Sequence, residues 1–297
     1  MTDELFDDLF LDTISGATAV AVDDEPEPVE PIAMTGPAAM VFDIETGPVD
    51  SATLEDMFEF DESRVKGFEL IGQAFDQKGV KIGNLKDKQK IAEKIEQKKQ
   101  EHAQAVAEAM IAVAGAREEA WISFCERAPL SPLTGQVLAI GYSDGTAANT
   151  VVDCRESELH DERGIVNNFW IVVLNAISNG GRLVGHNIYG FDLPFLVRRS
   201  WLLGVEIPSQ AYNLSGGRWS WNRLFVDTMT AWSCGVYGER ISLDRAAQFF
   251  GTTRKNGEGA EFHRLFNGTP EERKQALDYL ANDLVATHEV ARKMGMV

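Results

Sequence analysis

Along the chain, residues 38–45 show the first clear alternation: Met40, Phe42 and Ile44 are apolar on one side, with Val41, Asp43 and Glu45 between them, which predicts a short β-strand. After Gly47-Pro48 the pattern becomes irregular. Between residues 86 and 127, Lys, Gln, Glu and Ala dominate and no proline intervenes before Pro129, so a helical insertion is expected after the first strand, open to being a hairpin. Its apolar side would be Ile82, Leu85, Ile91, Ile95, Val106, Met110, Ile111 and Val113. Strand patterns return at 136–142 and 149–154, separated by the turn signature Ser143-Asp144-Gly145, and together predict a hairpin. A helix at 162–178, a strand at 182–186, a helix opening at Pro194, a strand at 224–227, a helix at 243–250 and a terminal helix complete the order. The terminal helix is the best signalled, with Thr269 as N-cap, Pro270 at its first position and Glu272 completing a capping box. Strands and helices in this order predict an α/β fold built on a mixed five-stranded sheet flanked by helices.

The chain of 297 residues, 44% of them hydrophobic, is long enough for one large α/β domain carrying an insertion. No apolar run approaches the roughly 20 residues a membrane span needs, and the N-terminus is acidic where a secretory signal would be basic. A soluble, cytosolic protein without a membrane role is expected. Cys125, Cys154 and Cys234 fall in no metal-binding spacing, so neither a disulfide framework nor a zinc site is indicated. The net charge of -18 argues against a nucleic-acid partner until it is divided along the chain. Residues 1–30 hold ten acids and no Lys or Arg, leaving -8 for the remainder. Residues 1–37 read as a disordered acidic tail, since Asp-Glu-Pro-Glu-Pro-Val-Glu-Pro cannot bury enough apolar surface to offset ordering. Leu5, Phe6, Leu9, Phe10 and Leu11 between its acids leave open a docking peptide for a protein partner.

Four separated segments carry chemistry. Asp43 and Glu45, two apart on a strand, present both carboxylates on one face while Phe42 and Ile44 pack beneath. Unpaired they repel, and a divalent cation removes that penalty. Residues 183–187 read as a buried strand ending in a polar loop, and Pro194 suits the first turn of the next helix, so Asp192 falls just ahead of a helix N-terminus, where its charge is favoured. Asn187 is placed for substrate or for the loop backbone. Tyr279 and Asp283 stand four apart on the terminal helix and share a face.

In their order and context these segments resemble the DEDD superfamily of 3′-5′ exonucleases. The first family motif matches Asp43 and Glu45, the second Asn187, Phe191 and Asp192, and the third Tyr279 and Asp283. The tyrosine four residues before the last aspartate indicates the tyrosine (DEDDy) branch. Phe-Asp-Ile-Glu-Thr, Asn-Ile-Tyr-Gly-Phe-Asp-Leu-Pro and Asp-Tyr-Leu-Ala-Asn-Asp-Leu look most like the proofreading exonuclease domain of family-B DNA polymerases and like free-standing exonucleases of that kind. The resemblance covers residues 38–50 and 130–294. It implies a ribonuclease H-like domain over 38–297, with the insertion at about 55–127. It also implies two divalent cations, Mg²⁺ or Mn²⁺, held by Asp43, Glu45, Asp192 and Asp283. These would activate water and stabilise the leaving 3′-oxygen, with Asp43 as bridge and the Tyr279 hydroxyl orienting the water. Asp227 resembles a supporting residue at a strand end.

The expected activity is 3′-5′ release of nucleotides from single-stranded DNA, as in DNA replication and repair. RNA is the alternative substrate, because the motifs do not read the sugar, and a non-catalytic nucleic-acid-binding adaptor is the alternative of a different class. Thr46, Asn187, Phe191, Trp219 and Trp221 are the candidate substrate contacts. The two tryptophans belong to Arg218-Trp219-Ser220-Trp221-Asn222-Arg223, a mixture of cations and aromatics that suits phosphates and unpaired bases, and equally suits aromatic packing before the next strand. Residues 78–99 hold eight lysines against three acids, a run that reads as a solvated face or as a basic arm gripping nucleic acid.

Overall fold

A computed structural model describes residues 39–146, 150–154, 161–215, 218–255, 257 and 259–297; the expected acidic tail and its docking peptide lie outside the described residues. The centre is a five-stranded mixed sheet. Strand β1 (Ala39–Pro48) pairs antiparallel with β2 (Gly135–Ser143) and parallel with β4 (Arg182–Gly185). Outside them lie β3 (Thr150–Cys154), antiparallel to β2, and β7 (Phe225–Asp227), parallel to β4. The expected five-stranded mixed sheet is therefore present, and the hairpin of β2 and β3 closes with Gly145 at φ 91°.

The alternation of β1 assigns its faces. Met40, Phe42 and Ile44 enter the large core formed with α3 (Glu162–Ser178) and α4 (Asp192–Leu203), where Phe169, Trp170, Leu193 and Phe195 are buried. Val41 points the other way and packs with Val184 against Leu284 and Ala291 of α8 (Pro270–Lys293). Helix α8 lies close to the sheet because β2 has glycine at position 141, where a Cβ would stand 2.6 Å from Leu284 Cδ1. The capping box at Thr269 and Glu272 forms as expected. Helices α6 (Leu243–Phe250) and α7 (Phe262–Phe266) pack against α8.

Two expectations change. Helix α4 opens at Asp192, not at Pro194, with Phe191 as its N-cap. The insertion contains one 40-residue helix, α2 (Lys88–Arg127), preceded by the short helix α1 (Ser51–Met57) and an irregular segment, so it is not a helical hairpin. Its expected apolar side is also only partly used. Ala109 and Val113 are buried, whereas Met110 and Ile111 are 56% and 72% exposed, because α2 is covered on a narrow stripe by a single strap of chain. A two-stranded sheet of β5 (Tyr212–Ser215) and β6 (Arg218–Trp221) and helix α5 (Thr228–Trp232) were not foreseen. None of the described helices is long and apolar enough to cross a membrane.

One buried ion pair joins four parts of this frame. Arg199 on α4 donates from Nε to Glu162 Oε1 (2.7 Å) and from Nη2 to Oε2 (2.5 Å), and from Nη1 to the Pro132 carbonyl (3.1 Å). Glu162 also accepts the N–H of Val137 on β2 at 2.8 Å. Both side chains are buried. Removing one partner strands the other charge in a low-dielectric interior. Arg199→Leu should therefore lower the unfolding free energy by about 3 kcal/mol or more, read from denaturant midpoints; an unchanged midpoint would show that the pair does not brace the frame.

Candidate metal centre

Three of the expected acids come together. One oxygen from each of Asp43 and Glu45 on β1 and of Asp283 on α8 lies within 4.8 Å of the others, with Glu45 and Asp283 buried and Asp43 half-buried. The cause is local. Asp43 and Glu45 share the face of β1 that looks at α8, and Leu280 and Leu284, on either side of Asp283, anchor that turn of helix to the sheet. The strand register shifts between Glu45 and Thr46, a bulge directly beside the acids.

Asp192 stands alongside with one carboxylate oxygen accepting the Ile44 N–H at 3.2 Å, so it is tied to the strand residue between Asp43 and Glu45. Burial pushes its carboxyl up to about 7. Burial likewise raises Asp43 well above the ordinary carboxylate range, with Asp192 and Asp283 adding repulsion. Glu45 is raised well above its ordinary value by burial first and then by Asp43 and Asp283.

The counter-charge is a residue that motif reading missed. Lys255 Nζ lies 2.7 Å from Asp283 Oδ2 and 5.3 Å from the centre of the Tyr279 ring. Its segment is stapled to α8, since Thr253 N–H donates to Glu289 at 2.7 Å and Asn282 donates to the Arg254 carbonyl at 3.0 Å. Arg254 is held in turn by Asp244 at 2.8 Å. No periodicity or motif in residues 251–257 marks this lysine. Burial raises Asp283 although the lysine pulls it down, and against its own burial Lys255 is kept firmly protonated by the Asp283 carboxylate and then by Tyr279.

Tyr279 is buried one helical turn from Asp283. Gly257 crosses its ring so closely that a Cβ would meet Cδ2 at 2.8 Å. Its hydroxyl and Asp283 Oδ1 are both buried without a well-formed hydrogen bond among the described residues. Burial, followed by the Asp283 charge, lifts the phenol above its usual value, so it stays protonated at neutral pH. Among the described residues the clustered carboxylates outnumber the cation beside them and one buried oxygen lacks a donor, which fits a hard divalent ion of the Mg²⁺ or Mn²⁺ type.

The other expected residues take various places. Asn187 adopts φ 65° and its backbone N–H donates to Asp227 at 3.0 Å. Asp227 also accepts from Tyr189 N–H (3.0 Å), Met229 N–H (2.9 Å) and Thr230 N–H (3.2 Å), a supporting role at the end of β7. Phe191 packs on Phe195, with ring centres 5.5 Å apart. The Thr46 hydroxyl donates to the Pro129 carbonyl at 2.7 Å. Trp219 stacks on Tyr212 at 4.2 Å and touches Trp201 and Trp221 edge-on, while Trp221 meets Phe225. Trp201 is nine residues along α4 from Asp192, about 14 Å at helical rise, so this aromatic pile packs against the core at the far end of that helix.

The family model of the RNase H superfamily matches residues 125–295. Among solved structures, the family B DNA polymerase from the hyperthermophilic archaeon Pyrobaculum calidifontis is similar at 26% identity and a TM-score of 0.45, over 57% of this chain. The chain spans 23% of that polymerase's length. Among curated proteins no sequence match is found.

An acid whose pKa rises on folding stabilises the folded state while protonated. For Asp192 that contribution is complete below the usual 3.8 and lost as pH climbs through about 7. The metal-free protein should therefore lose stability between about pH 4 and pH 7 more steeply than its Asp192→Asn variant, and Mn²⁺ should restore the wild type at higher pH. Parallel pH profiles for the two proteins in chemical unfolding would count against the buried acid cluster.

Proposed function

The chain belongs to the RNase H superfamily, and from that premise we propose that it is a metal-dependent 3′-5′ exonuclease of the tyrosine (DEDDy) branch acting on single-stranded DNA. The observation that carries this reading is the convergence of Asp43, Glu45 and Asp283 within 4.8 Å, beside Asp192 and Tyr279. The choice of DNA and the 3′ polarity rest on the motif resemblance to proofreading domains.

Asp43, Glu45, Asp192 and Asp283 would hold two divalent cations. Bound there, such ions supply the Lewis acidity that activates water and steadies charge on the leaving oxygen. Everything else is done by the chain. Tyr279 keeps its proton and is thus no general base; its hydroxyl orients the attacking water by hydrogen bonding. Asp192, anchored to the Ile44 N–H, fixes the distance between α4 and β1 at the site. Lys255 places a positive charge against Asp283, offsets part of the carboxylate repulsion in the metal-free site, and competes with a cation for that carboxylate. The Asn187 turn, clamped by Asp227, shapes the loop leading to Asp192.

A time course with 5′-labelled single-stranded DNA and matching RNA, with and without Mn²⁺, tests the reading. A ladder shortening from the 3′ end of DNA and abolished by chelation is expected. Asp43→Ala should remove cleavage, while Tyr279→Phe, which leaves the acids intact, should retain a residue of about 1% or less to a few per cent of the rate. Full activity of the Asp43→Ala protein would overturn the metal-dependent mechanism, and faster RNA digestion would reassign the substrate.

A further inference from the structure

The insertion forms an arm. Chain leaving β1 travels outward along α2 and returns as that helix, and its contacts follow one another in order. Phe58 packs on Trp121 and Phe124, Glu62 meets Arg117 at 3.2 Å, and the Gln73 carbonyl lies 3.1 Å from His102 Nε2, with Phe75 against the same ring. Asp87 then caps α2 by accepting the Gln89 N–H at 2.9 Å. The base is fixed beside the acid cluster, because α2 ends in the turn Ala128–Leu130, whose Pro129 carbonyl accepts from Thr46, the neighbour of Glu45. From that base, the helical residues Lys99 to Lys88 lie about 42 to 58 Å away at 1.5 Å per residue.

Charge is segregated along the arm. The outgoing stem, residues 51–77, holds seven acids against two basic residues, and the returning stem, 100–127, five against two. The tip, 78–99, holds eight lysines against three acids. Lys90, Lys94 and Lys98 follow at four-residue spacing and make one row on α2; Lys98 also pairs with Glu101. An acidic stem repels a polyanion, and a basic tip attracts it.

Building on the nuclease reading above, we propose that this tip is a second, remote contact for the sugar–phosphate backbone of the same nucleic-acid strand. It grips the strand upstream of the 3′ end, at a distance set by the length of α2. At about 3.4 Å per nucleotide in a stacked helical strand, the lysine row corresponds to roughly 12 to 17 nucleotides from the arm's base. Strands too short to reach it are served by the acid cluster alone.

The test compares the full-length protein with its Lys90→Gln, Lys94→Gln, Lys98→Gln triple variant. Fluorescence anisotropy is read in metal-free buffer with labelled single strands of about 6 and about 30 nucleotides, chosen to fall short of and beyond that reach. For the long strand the variant should bind about ten-fold more weakly, and its slope of log affinity against log salt should fall by about 2, the loss of three single-strand phosphate contacts. Binding and turnover of the short strand should not change. Equal binding of the long strand by both proteins overturns the proposal, and so does an equal loss with the short strand. Because binding is read without metal, a wild-type protein that grips the long strand through these lysines, yet releases no nucleotide once Mn²⁺ is added, supports the arm and sinks the nuclease.

Discussion

Like charges held together in a desolvated place are the constraint on which the rest of the structure depends. A fully ionised carboxylate pair at 4.8 Å repels by about 3.5 kcal/mol at an effective dielectric of about 20, and the cluster contains three such pairs with Asp192 beside them. Against a typical folding stability of about 5 to 15 kcal/mol, that repulsion is too large to carry unrelieved. Relief comes from the raised affinity of the carboxyls for protons and from Lys255, and a divalent cation would supply the rest. The hydrophobic frame must hold the acids in place meanwhile. It does so through Val41, Val184, Leu284 and Ala291, which clamp α8 to the sheet on the same face as the carboxylates.

This division of labour explains why acids in similar positions have different fates. Asp227 ends a strand, as the family resemblance suggests for a supporting residue, and spends both oxygens on backbone N–H groups of the Asn187–Tyr189 loop and of the first turn of α5. It is saturated and shapes the loop. Asp283, in contrast, has one oxygen on Lys255 and one with no well-formed hydrogen bond among the described residues. Glu162 is as buried as Glu45, yet it meets a guanidinium in two hydrogen bonds and serves as a brace. Satisfaction of the buried oxygens, more than burial itself, separates structural from candidate functional carboxylates here.

Much of this was legible in sequence where local rules and tertiary structure agree. The period-two pattern of residues 40–45 fixed which face carries the acids. Thr269, Pro270 and Glu272 announced α8, and with it the phase that puts Tyr279 and Asp283 on one side. Elements governed by long-range packing were hidden. Lys255 acquires its place from staples to α8 at Asn282 and Glu289, which no short window contains. The arm was visible as helical sequence, but its outgoing limb has no period, because it follows the helix as an extended strap with short turns. For Arg218 to Arg223 the sequence allowed both substrate contact and aromatic packing, and the rings of Trp219 and Trp221, partly buried, pack in a pile against the core.

The claim at the centre of this account is that the carboxylates at β1 and α8 form a site for divalent cations. Crystals grown with Mn²⁺ and measured at an energy where manganese scatters anomalously address it directly. The account predicts a strong anomalous peak enclosed by Asp43, Glu45 and Asp283, with Lys255 displaced from Asp283 or sharing it. Density without such a peak at saturating Mn²⁺, with Lys255 still the sole cation on Asp283, would contradict it.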